Sequence, residues 1–97
     1  MLAYSCIVGD VFKALADPTR RVIMDELLLR DGQTLFELCA RLMSVHGSQS
    51  SRQAVSQHLA VLEDAGLIAT YRAGRTKVHT LNTEPLRSIT ERWPLDR

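Results

Sequence analysis

The chain has 97 residues, a formal net charge of +1 and an apolar content of 45%. This length and composition predict one globular domain over residues 1–97 and exclude a disordered protein. No run approaches the roughly 18 apolar residues of a membrane span, and the N-terminus lacks the basic and apolar segments of a secretion signal, so we expect a cytoplasmic protein.

Two helices are predicted before residue 32. The first, around "VGDVFKALA", places apolar residues on one side, namely Val8, Val11, Phe12 and Leu15. In the second, Asp17 can accept hydrogen bonds from free helix N–H groups, and Pro18 suits the first helical position. The segment "RDG" is expected to close this helix, with Gly32 free to take the left-handed conformation. Arg20 and Arg21 open the same helix, where a salt bridge and a phosphate contact are equally consistent with the sequence.

A third helix is predicted over "LFELCARLM". Thr34 and Glu37 have the spacing of a capping box, in which each side chain accepts a hydrogen bond from the backbone N–H of the other residue. The "SVHGSQS" that follows is longer than a usual helix-turn-helix connection. Either the helix continues through His46, or a polar loop forms over residues 44–50.

A fourth helix is predicted over about residues 51–65, with Ser51 as its N-cap and Ser50 as a competing one. At about 100° per residue, one arc of this helix is apolar, and it consists of Val55, His58, Leu59, Leu62 and Ala65. His58 is expected to be a core histidine with a satisfied hydrogen bond. The opposite arc consists of Gln53, Ser56, Gln57, Ala60 and Asp64, with Arg52 beside the first turn. Gly66 is expected to end the helix.

The pattern then changes to that of strands. "LIATYR" and "KVHTL" flank "AGRT", where Gly74 supplies the turn, so a hairpin is predicted over about residues 68–81. A last helix, "PLRSITERW", is predicted to start at Pro85 and carries Leu86, Ile89 and Trp93 at helical spacing. The order α-α-α-α-β-β-α predicts a mainly α fold with a small β-hairpin, which is a winged helix-turn-helix.

The polar arc of the fourth helix and the hairpin have the chemistry of a DNA-binding surface. Glutamine can pair bidentately with adenine, arginine with guanine, and serine with bases or phosphates. Residues 41–82 carry five Lys/Arg against two Asp/Glu, so basic charge is concentrated here. The candidate DNA-binding residues are Ser51, Arg52, Gln53, Ser56, Gln57, Arg72, Arg75 and Lys77. The alternatives are a solvated helix face and solubilising charge on the hairpin.

The segments "FKALADPTRRVIMDELL", "SRQAVSQHLAVLEDAGLI" and "RAGRTKVHTLN" resemble the ArsR/SmtB family of winged-helix transcriptional regulators, over about Val11 to Asn82. The resemblance implies a homodimer built from the first and last helices, which binds an imperfect palindrome in promoter DNA and represses until a signal relieves it. It also implies that the fourth helix reads bases and that the hairpin holds the DNA backbone. The residues implied to pack the dimer, with an intramolecular core as the alternative, are Phe12, Leu86, Ile89 and Trp93.

The chain departs from this family at a metal-binding box. Many members carry Glu-Leu-Cys-x-Cys-Asp on the third helix, whereas this chain reads Glu-Leu-Cys-Ala-Arg-Leu, so Arg41 replaces the second thiol. His46, placed in a loop, and His79, placed in a strand, have no partner at ligand spacing. A thiolate site typically needs three or four ligands, so we expect no bound metal and no cofactor.

Two alternatives to a simple DNA-binding regulator stay open. Cys6 and Cys39 could form a redox switch or part of a soft-metal site, as in some relatives, although buried inert thiols are commoner. A winged helix can also be a protein-interaction module without specific DNA binding. An enzyme is not expected, because no nucleophile, base and orienting group recur at useful spacing and no Gly-rich phosphate loop is present.

Overall fold

The computed structural model describes residues 11–96. In chain order the elements are α1 (helical from 11 to 15), α2 (Pro18–Leu29), β1 (Gln33–Thr34), α3 (Leu35–His46), α4 (Arg52–Asp64), β2 (Ile68–Ala73), β3 (Thr76–Leu81), a 3₁₀ helix (Glu84–Leu86) and α5 (Arg87–Arg92). The predicted mainly α winged helix-turn-helix is confirmed. Cys6 and Val8 lie outside the described residues. None of the helices between residues 11 and 96 is long and apolar enough to cross a membrane.

Both ends of α2 follow the predicted pattern. The Asp17 carboxylate accepts hydrogen bonds from two backbone N–H groups of the first turn, at 2.8 and 3.3 Å, and Pro18 is the first helical residue. At the other end, Arg30 leaves the helix in an extended conformation and is its C-cap. Gly32 has a φ of 75°, in the left-handed region, and leads into β1. The prediction that "RDG" closes α2, with Gly32 in the left-handed conformation, is therefore confirmed, and Arg30 is the residue that caps the helix.

Helix α3 is longer than the predicted "LFELCARLM". The capping box is confirmed, since Glu37 donates its N–H to the Thr34 hydroxyl (3.1 Å) and accepts from the Thr34 N–H (2.9 Å). The helix continues through His46 and ends at Gly47, whose φ of 64° is left-handed. Of the two predicted alternatives, continuation of the helix through His46 is confirmed. His46 is therefore helical and not in a loop, and the polar connection to α4 is confined to residues 47–51.

The sheet has three antiparallel strands in the order β1-β3-β2. The predicted hairpin is confirmed as β2 and β3, joined by a two-residue turn in which Gly74 has a φ of 65°. Strand β1 was not predicted, because two residues are too few to show an alternating pattern. It pairs Gln33 with His79 and Thr34 with Val78, and so joins the start of α3 to the hairpin.

The core lies between α2, α3, α4 and the base of the hairpin. The apolar arc predicted for α4 is buried at Val55, Leu59, Leu62 and Ala65. These side chains pack against a cluster from the other elements, which includes Ala14, Ile23, Leu27, Leu38, Leu42, Leu67 and Ile68. Because this arc is buried, the opposite arc of α4 is fixed toward solvent.

The last helix begins differently from the prediction. The chain turns first through the 3₁₀ helix, and the α-helical residues start only at Arg87. Leu86 packs against the core, while Trp93, the C-cap of α5, makes an edge-to-face contact with Phe12 at a centroid distance of 6.2 Å. Trp93 nevertheless remains 55% exposed. Leu86 thus packs within the chain, whereas about half of the Trp93 side chain remains accessible to solvent.

Candidate nucleic-acid interface

The N-terminal turns of α4 carry the predicted polar residues in an accessible position. Ser51 is the N-cap, as predicted, and its hydroxyl accepts a hydrogen bond from the Ala54 N–H at 3.0 Å. The side chains at the next candidate positions are all exposed and make no hydrogen bond to the residues between 11 and 96: Arg52, Gln53, Ser56 and Gln57. Their donors and acceptors are therefore available to another molecule.

A groove of about 580 Å³ runs between α4, the hairpin and the start of α3. It brings together four of the eight candidate residues, Arg52 and Ser56 from α4 and Arg75 and Lys77 from the hairpin. We call this space the α4–hairpin groove. Its other lining residues are Thr34, Leu35, Phe36, Leu59, Ala60, Glu63, Thr76 and His79.

The remaining candidates lie outside the lining of the α4–hairpin groove. Gln53 and Gln57 are each one residue further around α4 than Arg52 and Ser56, on the side turned away from the hairpin. Arg72 is paired with Lys77 across the hairpin and is exposed. The structure thus separates the glutamines, on the outward side of α4, from the cations that flank the groove.

Glu63 also lines this groove, although it is not among the residues predicted from the sequence. One carboxylate oxygen accepts a hydrogen bond from the Thr70 hydroxyl at 3.2 Å, and the other lies 3.5 Å from Nζ of Lys77. These contacts hold the hairpin against the C-terminal half of α4. The signal was present in the spacing, because residues 52, 56 and 63 follow one side of the helix.

The α4–hairpin groove is positively charged overall. Three cationic side chains line it, from Arg52, Arg75 and Lys77, against the single carboxylate of Glu63. Arg72, the strand partner of Lys77, adds a fourth exposed cation on the hairpin, outside the lining of the groove. An excess of positive charge around an open groove attracts a polyanion and raises its rate of association.

The two arginines at the start of α2 make hydrogen bonds to other residues of the same chain. Arg20 donates from Nε to the Ala14 carbonyl at 2.9 Å, and its Nη1 lies 3.1 Å from Nδ1 of His58. Arg21 donates to the Leu15 carbonyl at 2.6 Å. His58 is thus satisfied, as predicted, but it is half-buried and bonded to an arginine rather than enclosed in the core. Both arginines fasten α1 to the rest of the domain.

Arg41, the residue that replaces the second thiol of the metal box, has an ion-pair partner. Its Nε donates to Oε1 of Glu26 at 2.7 Å, and Nε2 of His46 lies 2.8 Å from Oε2 of the same carboxylate. Glu26 is only 2% exposed. The hydrogen bonds of Arg41 and then His46 hold the pKa of Glu26 below its usual value, although burial opposes this. This cluster joins the middle of α2 to the C-terminal half of α3.

The other candidate ligands are dispersed. Cys39 is a free, half-buried thiol, and burial raises its pKa, while the charge of Arg52 opposes that rise only in part. His79 is buried, and its Nδ1 lies 3.0 Å from the Gln33 carbonyl. Across residues 11–96, no three His, Cys, Asp or Glu side chains are grouped so that they could hold a metal ion.

Comparison with known proteins identifies the family. Residues 15–71 match the family model of a helix-turn-helix domain. The uncharacterized HTH-type transcriptional regulator YuzN of Bacillus subtilis (strain 168) is 47% identical over 83 residues, which cover 86% of this chain and 90% of YuzN. The transcriptional repressor SdpR of the same strain is 35% identical over 79 residues, covering 81% of this chain and 80% of SdpR.

The fold comparison agrees with the sequence comparison. The ArsR-like transcriptional regulator from Rhodococcus sp. RHA1 superposes with a TM-score of 0.77 at 28% identity, over 95% of this chain and 78% of that chain. The same family is represented by the crystal structure of the ArsR family transcriptional regulator RHA00566, with a TM-score of 0.71 at 30% identity over 90% of this chain and 81% of that chain. The chain therefore belongs to the ArsR/SmtB family of winged-helix proteins and is a DNA-binding transcriptional regulator.

Proposed function

We propose that this protein is a homodimeric, cytoplasmic, non-enzymatic repressor that binds an imperfect palindromic operator. The observation that carries the proposal is the combination of a helix with exposed polar side chains and a cationic hairpin beside it. The relative named as a transcriptional repressor, SdpR, supports repression as the mode of action. A two-fold symmetric dimer presents two such helices, so the operator that matches it is a palindrome.

The base-reading role falls to the first two turns of α4. A helix in the major groove contacts base edges with its N-terminal residues, and exposed glutamine and arginine side chains can each make two hydrogen bonds to one base. Gln53 and Gln57 lie one helical turn apart on the outward side, while Arg52 and Ser56 lie toward the hairpin. Ser51 caps α4, and the backbone N–H groups of the first helical turn would face a phosphate.

The hairpin holds the DNA backbone. Arg75 follows Gly74 in the turn, and Arg72 and Lys77 face each other across the two strands. Long cations at such a turn can reach phosphates that the helix does not touch. Lys77 exchanges its ion pair with Glu63 for a phosphate when DNA binds, because both side chains are exposed and an exposed pair contributes little stability.

The dimer is formed through α1 and α5. Trp93 is 55% exposed although it already contacts Phe12, so the pair leaves an aromatic surface for a second copy of the chain. The cation of Arg92 lies over the Trp93 ring at 4.5 Å. A thiol switch has less support, because a thiol whose pKa is raised by burial reacts slowly, as Cys39 would.

The test is the effect of Gln57→Ala on the duplex that the wild-type protein enriches from a random-sequence pool. Loss of a bidentate base contact should cost about 1–3 kcal/mol on that duplex and should relax the preference for one base pair. Binding to a scrambled duplex of the same composition serves as the control and should not change. An equal loss on both duplexes would rule out base reading by Gln57.

A further inference from the structure

Phe36 is an aromatic side chain whose exposure the fold does not explain. It is the second residue of α3 and is 71% exposed, whereas its neighbour Leu35 packs against the core. Exposed large apolar side chains on a small domain often mark a contact with another molecule, particularly when they border a groove. Phe36 lines the α4–hairpin groove.

The surroundings of Phe36 indicate what that other molecule is. The same groove is lined by Arg52, Arg75 and Lys77 against one carboxylate, which favours a polyanion. A DNA strand offers phosphates to such cations and also an apolar surface, on the deoxyribose rings and on the C5-methyl groups of thymine. Phenylalanine is one of the side chains that pack on the thymine methyl in the major groove.

We propose that Phe36 is a DNA contact, whose ring packs against the apolar edge of the strand held in the α4–hairpin groove. The proposal rests on the proposed function and extends the interface from α4 and the hairpin to the start of α3. The position of Phe36 is fixed by two local features, the capping box that starts α3 and the pairing of β1 with β3. The ring is therefore presented to the groove by a rigid part of the domain.

The chain provides a matched control on the same helix. Met43 is seven residues further along, which places it on the same face of α3, and it is 68% exposed. It does not line the α4–hairpin groove. A protein partner bound along the open face of α3 would involve both side chains, whereas a DNA strand in the groove would involve Phe36 alone.

The experiment compares Phe36→Ala, Phe36→Leu and Met43→Ala with the wild type for binding to the duplex that the wild-type protein enriches. Each protein is tested on that duplex and on a second version in which uracil replaces every thymine. Phe36→Ala should weaken binding by about tenfold, since part of an aromatic ring is no longer buried. The salt dependence should keep its slope, because no phosphate contact is lost. Phe36→Leu should recover part of the affinity, and Met43→Ala should bind like the wild type. Circular dichroism and thermal unfolding check that each variant is folded.

The two kinds of DNA distinguish the two apolar partners. If the penalty of Phe36→Ala disappears on the uracil duplex, the partner is the thymine methyl; if it persists, the partner is deoxyribose. Both results support the proposal. It is overturned if Phe36→Ala binds the enriched duplex as tightly as the wild type, or if Met43→Ala is impaired to the same extent. If the wild-type protein enriches no sequence at all, the proposed function fails and the contact proposed for Phe36 fails with it.

Discussion

The number of cations on α4 and the hairpin predicts how steeply salt weakens DNA binding. Each cation that neutralises a phosphate releases a counterion, so the logarithm of the binding constant falls with the logarithm of salt concentration by about 0.9 per contact. One protomer presents Arg52, Arg72, Arg75 and Lys77. A dimer that uses all of them makes roughly eight contacts, which predicts a slope of about −7.

Arg75→Ala removes one of these cations from each protomer. Arg75 is exposed at the tip of the hairpin and lines the groove, so its loss should leave the fold intact. The slope should fall in magnitude by about 2 for the dimer, and affinity should drop on all sequences alike. Fluorescence anisotropy titrations between about 50 and 200 mM salt, the range in which phosphate contacts change affinity strongly, measure the slope directly.

Arg30→Ala is the matched control for this measurement. Arg30 is also an exposed arginine, but it lies at the end of α2, pairs with Glu37 and does not line the groove. Its slope should equal that of the wild type. An unchanged slope for Arg75→Ala, or an equal change for both variants, would remove Arg75 from the phosphate contacts and refute the role assigned to the hairpin tip.

Two further predictions concern the dimer and the buried carboxylate. Trp93→Ala should weaken self-association by about tenfold or more in sedimentation experiments, as loss of an aromatic anchor does; Tyr71→Ala, on the hairpin and 54% exposed, should not. Glu26→Gln should lower the free energy of unfolding at neutral pH by on the order of 2 kcal/mol, because it removes the charge that accepts the hydrogen bonds of Arg41 and His46. Since the pKa of Glu26 is lowered in the fold, its stabilisation is present above its unfolded pKa and lost as pH falls through the folded value. The difference from wild type should therefore vanish in acid, and a difference that does not depend on pH would contradict this role.

Much of the fold could be predicted because its signals are local. The capping residues Asp17, Thr34 and Ser51 each lie beside the N–H groups that they satisfy, so a few consecutive residues carry the whole pattern. The apolar arc of α4 repeats over three turns, which is enough to identify both its buried and its exposed side. The exposure of the polar side chains on α4 follows from this repeat.

The features that could not be predicted depend on residues distant in the chain. β1 exists because Gln33 meets His79, and two residues show no pattern of their own. The sequence left open whether α3 continues through His46, and the observed extra turn is consistent with the contact of His46 with Glu26, twenty positions earlier. Arg41 was identified only as the residue that replaces a thiol, and its partner on α2 emerged from the packing of the two helices. The sequence likewise did not indicate a role for Phe36, because the groove that it lines is formed by residues distant in the chain.

Sequence-specific recognition of DNA is the central claim, and one titration tests it most directly. The duplex enriched from a random pool and its scrambled version are each titrated with wild-type protein, with fluorescence anisotropy as the readout, at physiological salt. A sequence-specific regulator should bind the enriched duplex with a Kd of about 10⁻⁸ M or tighter, at least about 10³-fold tighter than the scrambled one. Equal affinities for the two duplexes, in the non-specific range of about 10⁻⁴–10⁻⁶ M, would contradict it.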